Sequence, residues 1–181
     1  MRVIPTEIPE VLLIEPKVFG DSRGFFYESW NERVFERSGI SARFVQDNHS
    51  RSQRGVLRGL HYQIQHPQGK LLRVIEGEIF DVAVDIRRSS PTFGRSATAV
   101  LSAARHDMLW VPAGFAHGFY VLTDHAQVLY KATDYWAPEH ERTLLWNDPD
   151  LAIAWPLAGG APVLSAKDAA GTPFKIAETF P

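Results

Sequence analysis

The sequence predicts an all-β fold of the jelly-roll type, and three observations carry that prediction. Short apolar or alternating segments follow one another from Val11 onward, separated by Gly, Pro, Asp or Ser, as in β-sandwiches and barrels. Helical patterns are scarce. The chain has 181 residues, 45% of them hydrophobic, which suffices for one domain with a sizeable core. We therefore expect a single domain over residues 1–181, with a central cavity suited to a small molecule.

The clearest strand pattern covers residues 71–86. An apolar run over 71–76 is followed by Gly77-Glu78 and then by an alternating run over 79–86. The alternation divides the second run into two faces, with Phe80, Val82, Val84 and Ile86 on one and Asp81, Ala83 and Asp85 on the other. We interpret the two runs as a β-hairpin.

Further strands are predicted where short apolar segments lie between turn-forming residues. These segments are 44–47, 97–101, 108–111, 118–122 and 127–133. Turns are expected at Pro112-Ala113-Gly114 and at Thr123-Asp124, because these residue types favour turn conformations. Many short strands in this arrangement favour a jelly roll over a helical or mixed fold.

Residues 31–38 are the best helix candidate. Asn31 is a preferred residue type for capping the N-terminus, Val34 and Phe35 are expected to face inward, and Gly39 to end the helix. A weaker helix signal lies within 165–170.

Composition excludes several functional classes. The formal net charge is −2, so no global positive field attracts nucleic acid or an anionic membrane. The chain contains no Cys, which excludes disulfides and thiolate chemistry and fits a reducing cytoplasm. The first ten residues lack the apolar region of a secretory signal, and no apolar run approaches the roughly 20 residues that span a bilayer. We expect a cytoplasmic protein.

A histidine and two cations mark the segment that begins at residue 57. His61 follows Arg58 in a strand-like run, and Lys70 comes after a short loop. Residues three apart point to opposite faces of a regular strand, so a bulge at Gly59 is needed to bring Arg58 and His61 to one cavity. On these residues alone, a half-exposed histidine among seven and solvated basic side chains remain the alternative.

The run over residues 111–119 has the Pro-x-Gly-x-x-His spacing of the second cupin motif, in which a turn delivers a histidine, here His117, into the barrel. Metal-binding cupins resemble one another in a first motif with His-x-His and a nearby Glu. The corresponding positions here read His61-Tyr62-Gln63, without a carboxylate before Gln68. His66 is the only further histidine near this motif. Fe and Zn usually take three or four protein ligands, so we expect no metal.

Tyr130 is expected to share a strand face with Val128 and Ala132. Taken alone, a buried core tyrosine is the commoner interpretation. Trp136, Glu141 and the pair Lys167-Asp168 are equally uninformative in isolation, since an aromatic side chain can simply pack and charges can simply be solvated.

Taken together, these segments resemble the dTDP-4-dehydrorhamnose 3,5-epimerase family from Phe19 to about Phe174. The resemblance rests on residues 20–28, 46–50, 58–63, 68–70, 112–119, 130–131, 146–149 and 165–168, which follow one another in the family's order. It implies a cupin-type double-stranded β-helix with a few short helices. It also implies inversion of C3 and C5 of a dTDP-linked 4-keto-6-deoxy sugar, which requires a base, an acid on the opposite ring face and enolate stabilisation. No cofactor is expected.

The resemblance assigns four catalytic roles. His61 is the base, Asp168 holds its other ring nitrogen, Tyr130 is the acid and Lys70 stabilises the enolate. A neutral histidine with a pKa near 6.5 suits proton abstraction, and a tyrosine with a pKa near 10 stays protonated as a donor.

The resemblance also assigns substrate-binding residues and a partner. Those carried over are Arg23, Glu28, Gln46, Asp47, Asn48, Arg58, His117, Trp136, Glu141 and Lys167. Trp136 stands where the family usually has Tyr or Phe stacked on thymine. Family members are homodimers whose N-terminal strands cross to the partner, so Arg23 and Glu28 are expected to serve the neighbouring site.

Three alternatives remain open. A relative that inverts one centre, or acts on another nucleotide-linked keto sugar, would differ in pocket shape, which sequence does not reveal. A keto-sugar isomerase would need a different histidine arrangement. A non-catalytic nucleotide-sugar binding protein would keep Arg58 and the stacking aromatic but would not need His61, Tyr130 and Asp168.

Overall fold

The computed structural model describes residues 1–181, which form mainly β-strands. The strands are β1 (Arg2–Pro5), β2 (Leu12–Glu15), β3 (Phe19–Asp21), β4 (Gly24–Phe26), β5 (Gln46–Gln53), β6 (Leu57–Gln63), β7 (Lys70–Glu76), β8 (Glu78–Asp85), β9 (Ser96–Ser102), β10 (Met108–Val111), β11 (Phe115–Val121), β12 (His125–Ala132) and β13 (Glu141–Thr143). The helices are α1 (Glu32–Arg37) and α2 (Ala166–Ala169), with 3-10 turns at Pro138–His140 and Phe174–Ile176.

Two antiparallel sheets face each other and form a cupin jelly roll, which confirms the predicted fold class. The six-stranded sheet has the order β1-β2-β10-β7-β12-β5, and the five-stranded sheet has the order β13-β6-β11-β8-β9. Strands β3 and β4 pair only with each other as a separate ribbon.

The core divides into clusters on both sides of the five-stranded sheet. The largest cluster joins the two sheets and includes Leu72 and Val128 from one and Ala83 from the other. A second cluster, which contains Val82 and Leu144, covers the opposite face with residues from the C-terminal part of the chain. Burial on both faces explains why β8 carries apolar residues at five of its eight positions, on both of its faces.

The predicted hairpin over residues 71–86 is wrong, although the strands themselves exist. β7 pairs with β10 and β12, whereas β8 pairs with β9 and β11 in the other sheet. Gly77 joins them with a φ of +77°, and a β-carbon there would collide with the main-chain oxygen of His125. Alternation shows which face of a strand a side chain occupies but not which strand is its neighbour. The turn at Gly77, which leads from one sheet to the other, therefore has the same sequence pattern as a hairpin turn.

The two helices lie where the sequence placed them. Asn31 caps α1 by accepting a hydrogen bond from the main-chain N–H of Val34, and Phe35 is buried against Ile14 and Met108. Ser165 caps the single-turn helix α2. No helix in the chain is both long and apolar enough to cross a membrane.

Candidate active site

A cavity of about 300 Å³ lies between the two sheets. Its lining residues are Ser50, Arg58, His61, Lys70, Leu72, His117, Gly118, Phe119, Tyr130, Trp136, Glu141 and Lys167. β6 and β11 of the five-stranded sheet supply one wall, and β5, β7 and β12 of the six-stranded sheet supply the other. The sequence-predicted catalytic groups are therefore distributed over two opposing surfaces.

A bulge in β6 brings Arg58 and His61 to the same cavity, as the sequence predicted. His117 of β11 lies opposite His61, and Phe119 lies opposite Arg58, so β6 contains one extra residue over this interval. Gly59 has a φ of +116°, and a β-carbon there would lie 2.5 Å from the Cα of Gly118. Only glycine fits this close approach between the two strands.

His61 is paired with a buried carboxylate. Its Nε2 donates to Asp168 Oδ1 over 2.6 Å, which leaves Nδ1 as the unpaired basic nitrogen of the neutral ring. Burial lowers the pKa of His61 and outweighs the hydrogen bond to Asp168, which raises it. The imidazole is therefore neutral near pH 7 and available to accept a proton.

Asp168 is held in place by the start of α2. Ser165 Oγ donates to Asp168 Oδ2 over 2.7 Å, and the main-chain N–H of Gly59 approaches Oδ1 at 3.3 Å. Burial raises the pKa of Asp168, but the hydrogen bonds from His61 and Ser165 outweigh it, so the pKa lies below its usual value. The carboxylate is ionised and oriented toward His61.

A second histidine pair, which the sequence analysis missed, lies beside the first. His117 Nε2 contacts both carboxylate oxygens of Asp81, at 2.9 and 3.0 Å, and both side chains are buried. Asp81 projects from the face of β8 opposite Phe80, Val82 and Val84, as the alternation predicted. The signal in the sequence was a carboxylate, Asp81, within a mostly apolar strand. A carboxylate that is buried there needs a hydrogen-bonding partner, and this requirement would have pointed to the pair.

Lys70 and Tyr130 lie on the wall opposite His61. Burial lowers the pKa of Lys70 to about 8, although Glu141 and Asp81 act in the other direction. Burial also raises the pKa of Tyr130, which keeps the phenol protonated at neutral pH. Tyr130 packs against the main core cluster on the face of β12 that it shares with Val128, as predicted. The wall thus offers a proton donor and a cation.

Charged and aromatic groups form the rim of the cavity. Arg58 Nε donates to Ser52 Oγ over 2.9 Å, and Lys167 Nζ lies 2.9 Å from Glu141 Oε2. The indole of Trp136 is 58% exposed at the same rim. Arg58, Lys70 and Lys167 outnumber the lining carboxylate of Glu141, so the cavity carries a local positive charge despite the negative net charge of the chain.

Some sequence-predicted binding residues do not line this cavity. Gln46 and Asn48 bond to each other on the face of β5 that also carries Ser50. Asp47 points to the other face, where its carboxylate binds Lys131.

The two N-terminal residues assigned to binding also lie away from the cavity. Arg23 lies in the β3–β4 ribbon, paired with Asp21, and Glu28 accepts from Asn31 near α1.

The third histidine that was weighed as a metal ligand lies outside the site. His66 is largely exposed and approaches Asp134 at 3.4 Å rather than His61. No group of three His, Asp or Glu side chains in the chain has an arrangement that could hold a metal ion.

Fold and site together define a sugar isomerase of the cupin jelly-roll class. The chain belongs to the dTDP-4-dehydrorhamnose 3,5-epimerase family, whose family model matches residues 5–175. The dTDP-4-dehydrorhamnose 3,5-epimerase of Pseudomonas aeruginosa is 60% identical over 182 residues, covering 100% of both chains.

Two solved structures carry ligands of the expected kind. The dTDP-6-deoxy-D-glucose-3,5-epimerase of Legionella pneumophila, in complex with dTDP-4-keto-L-rhamnose, is 54% identical with a TM-score of 0.95, covering 98% of this chain and 94% of that one. The dTDP-4-dehydrorhamnose 3,5-epimerase of Bacillus anthracis, with TDP and PPi bound, is 46% identical with a TM-score of 0.91, covering 95% and 98%.

Proposed function

We propose that the chain converts dTDP-4-dehydro-6-deoxy-D-glucose to dTDP-4-dehydro-L-rhamnose, a step of dTDP-L-rhamnose biosynthesis. The observation that carries the proposal is the placement of the His61–Asp168 pair on one wall of the cavity and Tyr130 on the other. Inversion of a carbon requires a base on one face of the sugar ring and an acid on the opposite face.

The C4 ketone of such a substrate makes the hydrogens on C3 and C5 acidic. We assign His61 Nδ1 as the base that removes each of them, with Asp168 stabilising the imidazolium that forms. The electron pair released from the C–H bond passes to the C4 oxygen as an enolate, and Lys70 stabilises that negative charge. Tyr130 then donates its phenolic proton to the opposite face of the carbon.

Each inversion leaves an imidazolium at His61 and a phenolate at Tyr130. Both must return to their starting states before the next inversion, since the same two groups serve both carbons. Exchange with solvent restores them: His61 releases the abstracted proton and Tyr130 takes up a new one. The mechanism therefore incorporates one solvent hydrogen at each inverted carbon and needs no redox cofactor.

The rim supplies groups for the nucleotide. Arg58 and Lys167 are suited to charge-assisted hydrogen bonds with diphosphate oxygens, and Trp136 is suited to stacking on thymine. His117, held by Asp81, presents its free Nδ1 as a further polar contact. The ligands in the two related structures are of the chemical class that these groups fit.

We further propose that the chain, as a single domain over residues 1–181, works as a homodimer with exchange of N-terminal strands. The β3–β4 ribbon exposes Phe19, Phe25 and Phe26, each more than half exposed, beside Arg23. A second copy that covered these side chains would bring Arg23 and Glu28 to its own cavity. Light scattering tests the oligomeric state, and a monomer at micromolar concentration would contradict the proposed dimer.

The cytoplasmic location stays a prediction.

The decisive experiment follows deuterium entry by NMR while the protein is incubated with dTDP-4-dehydro-6-deoxy-D-glucose in heavy water. We expect deuterium at both C3 and C5, together with formation of the L-rhamno configuration. Exchange at one carbon alone supports a single-centre epimerase. Binding without exchange at either carbon supports a nucleotide-sugar binding protein and contradicts the proposal.

A further inference from the structure

The segment that carries Trp136 is not anchored by its own backbone. Residues 134–136 follow the end of β12 and precede the 3-10 turn at Pro138–His140. None of their N–H or C=O groups forms a hydrogen bond with another main-chain group. The indole also lies at the rim with more than half of its surface exposed, so little packing fixes it. Something else must determine where Trp136 sits.

Three glutamine side chains from separate parts of the fold bind this segment. Gln63 Oε1 accepts from the N–H of Ala137 over 2.8 Å, and its Nε2 donates to the C=O of Tyr135 over 3.2 Å. Gln46 Oε1 accepts from the N–H of Trp136 over 2.9 Å. Gln68 Nε2 donates to the C=O of Asp134 over 2.8 Å.

The amide group is suited to this task because it donates and accepts at once. Gln63 uses both functions on the same segment and gives a further hydrogen bond to the C=O of His66 over 2.7 Å. It is buried, with 4% of its surface exposed, so water cannot easily replace the lost partner if the amide is removed.

We infer that Gln63, together with Gln46 and Gln68, is a positioning residue that holds Trp136 as a ready-made platform for the nucleotide base. The inference rests on the proposed function, because it takes the base as the ligand of Trp136. Holding the platform before binding removes the entropy cost of ordering the segment when the ligand arrives. The three amides thus act on affinity through Trp136 and not on the proton transfers at His61.

The first test needs no substrate. In hydrogen–deuterium exchange of the full-length protein, Gln63→Leu is expected to lose protection at the amide of Ala137, its direct partner. It is also expected to lose protection at Trp136, whose own partner Gln46 remains in place. Gln65→Leu is the matched control, because Gln65 is exposed, lies two residues away and makes no side-chain hydrogen bond. Unchanged protection at Trp136 in Gln63→Leu overturns the inference.

The second test measures affinity for dTDP by calorimetry, alongside KM and kcat. Gln63→Leu is expected to weaken dTDP binding and raise KM by at least about fivefold, the effect of one or more lost hydrogen bonds, while kcat falls less than twofold. Gln68→Leu removes a single contact and is expected to change affinity in the same direction by a smaller factor. If Gln63→Leu does not fold, Gln68→Leu takes its place in the affinity measurement.

A double-mutant cycle then separates positioning from general loosening. In a Trp136→Ala background, Gln63→Leu is expected to have no further effect on dTDP affinity, since the platform it holds is gone. If Gln63→Leu weakens dTDP binding equally with and without Trp136, the inference is overturned. The proposed function stays intact in that case as long as the wild type is fully active. A wild type that neither binds dTDP nor exchanges substrate deuterium overturns the proposed function first.

Discussion

Asp168 accepts a 2.6 Å hydrogen bond from Nε2 of His61, across a sequence separation of 107 residues. The bond fixes which ring nitrogen carries the hydrogen, and so leaves Nδ1 free for the role of base that we propose. It also places a full negative charge beside the ring that becomes positive when a proton is abstracted. Much of what we expect of this enzyme follows from that pair.

His61→Asn is expected to abolish exchange at both C3 and C5, because one base serves both carbons. A loss of about 10²- to 10⁴-fold in turnover is typical when a general base is removed. Affinity for dTDP, measured by calorimetry, should stay near that of the wild type. His49→Asn is the control, since His49 lies on the outer face of β5 bonded to Gln127 and should retain full turnover. Near-normal turnover in His61→Asn would refute the assignment.

Asp168→Asn is expected to lower kcat and to move the acidic limb of the pH profile to lower pH. Burial already lowers the pKa of His61, and Asp168 is the group that raises it. Loss of the carboxylate charge therefore lowers the pKa of His61 further, so the base stays neutral in more acidic solution but becomes a weaker one. Profiles of kcat/KM against pH test this, and an acidic limb displaced upward would contradict it.

The sequence predicted which residues line the cavity better than it predicted the strands and contacts that surround them. That His61, Lys70 and Tyr130 line one cavity could be predicted because their motifs are local and match a family, whereas their catalytic roles stay predictions. The bulge could be predicted because Arg58 and His61 are three residues apart, with Gly59 between them. Strand β5 was predicted only to residue 47, because its continuation alternates polar residues at a sheet edge and lacks an apolar pattern.

Contacts that depend on the packing of distant segments could not be predicted. The buried partner of His117 is Asp81, on a neighbouring strand 36 residues away, and nothing local in the sequence joins them. The bonds of Gln63 to residues 135–137 likewise depend on a loop that approaches β6 only in the folded chain. Single-sequence patterns report which face a residue takes, whereas these contacts are set by the closing of one sheet on the other.

Tyr130→Phe is expected to stop inversion while leaving part of the exchange intact. Without the phenol, no acid reprotonates the far face, but His61 can still remove a proton and return a solvent deuteron to the same face. The result is deuterium incorporation with retained configuration, while net epimerisation falls by about 10²- to 10⁴-fold. NMR in heavy water distinguishes the two outcomes. Loss of exchange and inversion to the same extent would show that Tyr130 takes part in proton removal.

The lowered pKa of Lys70 predicts that activity falls at alkaline pH. Its pKa is lowered to about 8 by burial, so it is charged below that pH and loses its proton as the pH rises through it. Since we propose that this cation stabilises the enolate, kcat should decline above about pH 8. Lys70→Arg keeps a positive charge at all these pH values, so its decline should move up toward the ionisation of Tyr130, with lower overall turnover because the guanidinium fits differently. A decline that remains near pH 8 in Lys70→Arg would assign it to another group.

Two Asp-x-Arg pairs of the same local geometry provide a test of what burial contributes to stability. Asp85 accepts from the main-chain N–H, Nε and Nη2 of Arg87, and Asp21 makes the same three contacts with Arg23. Asp85 is fully buried and also accepts from two nearby hydroxyls, whereas the Asp21 pair is exposed.

We expect Asp85→Asn to lower the free energy of unfolding by about 3 kcal/mol, the typical cost of breaking a buried ion pair. Asp21→Asn should change it far less, because solvent screens that exposed pair. Burial raises the pKa of Asp85, but its hydrogen bonds outweigh that and bring it to about 2, so its contribution is present above pH 4 and is lost as pH falls toward 2. Urea unfolding at pH 7 and at pH 3 should therefore give a smaller difference between Asp85→Asn and wild type at the lower pH. An equal difference at both pH values would show that the charge of Asp85 does not stabilise the fold.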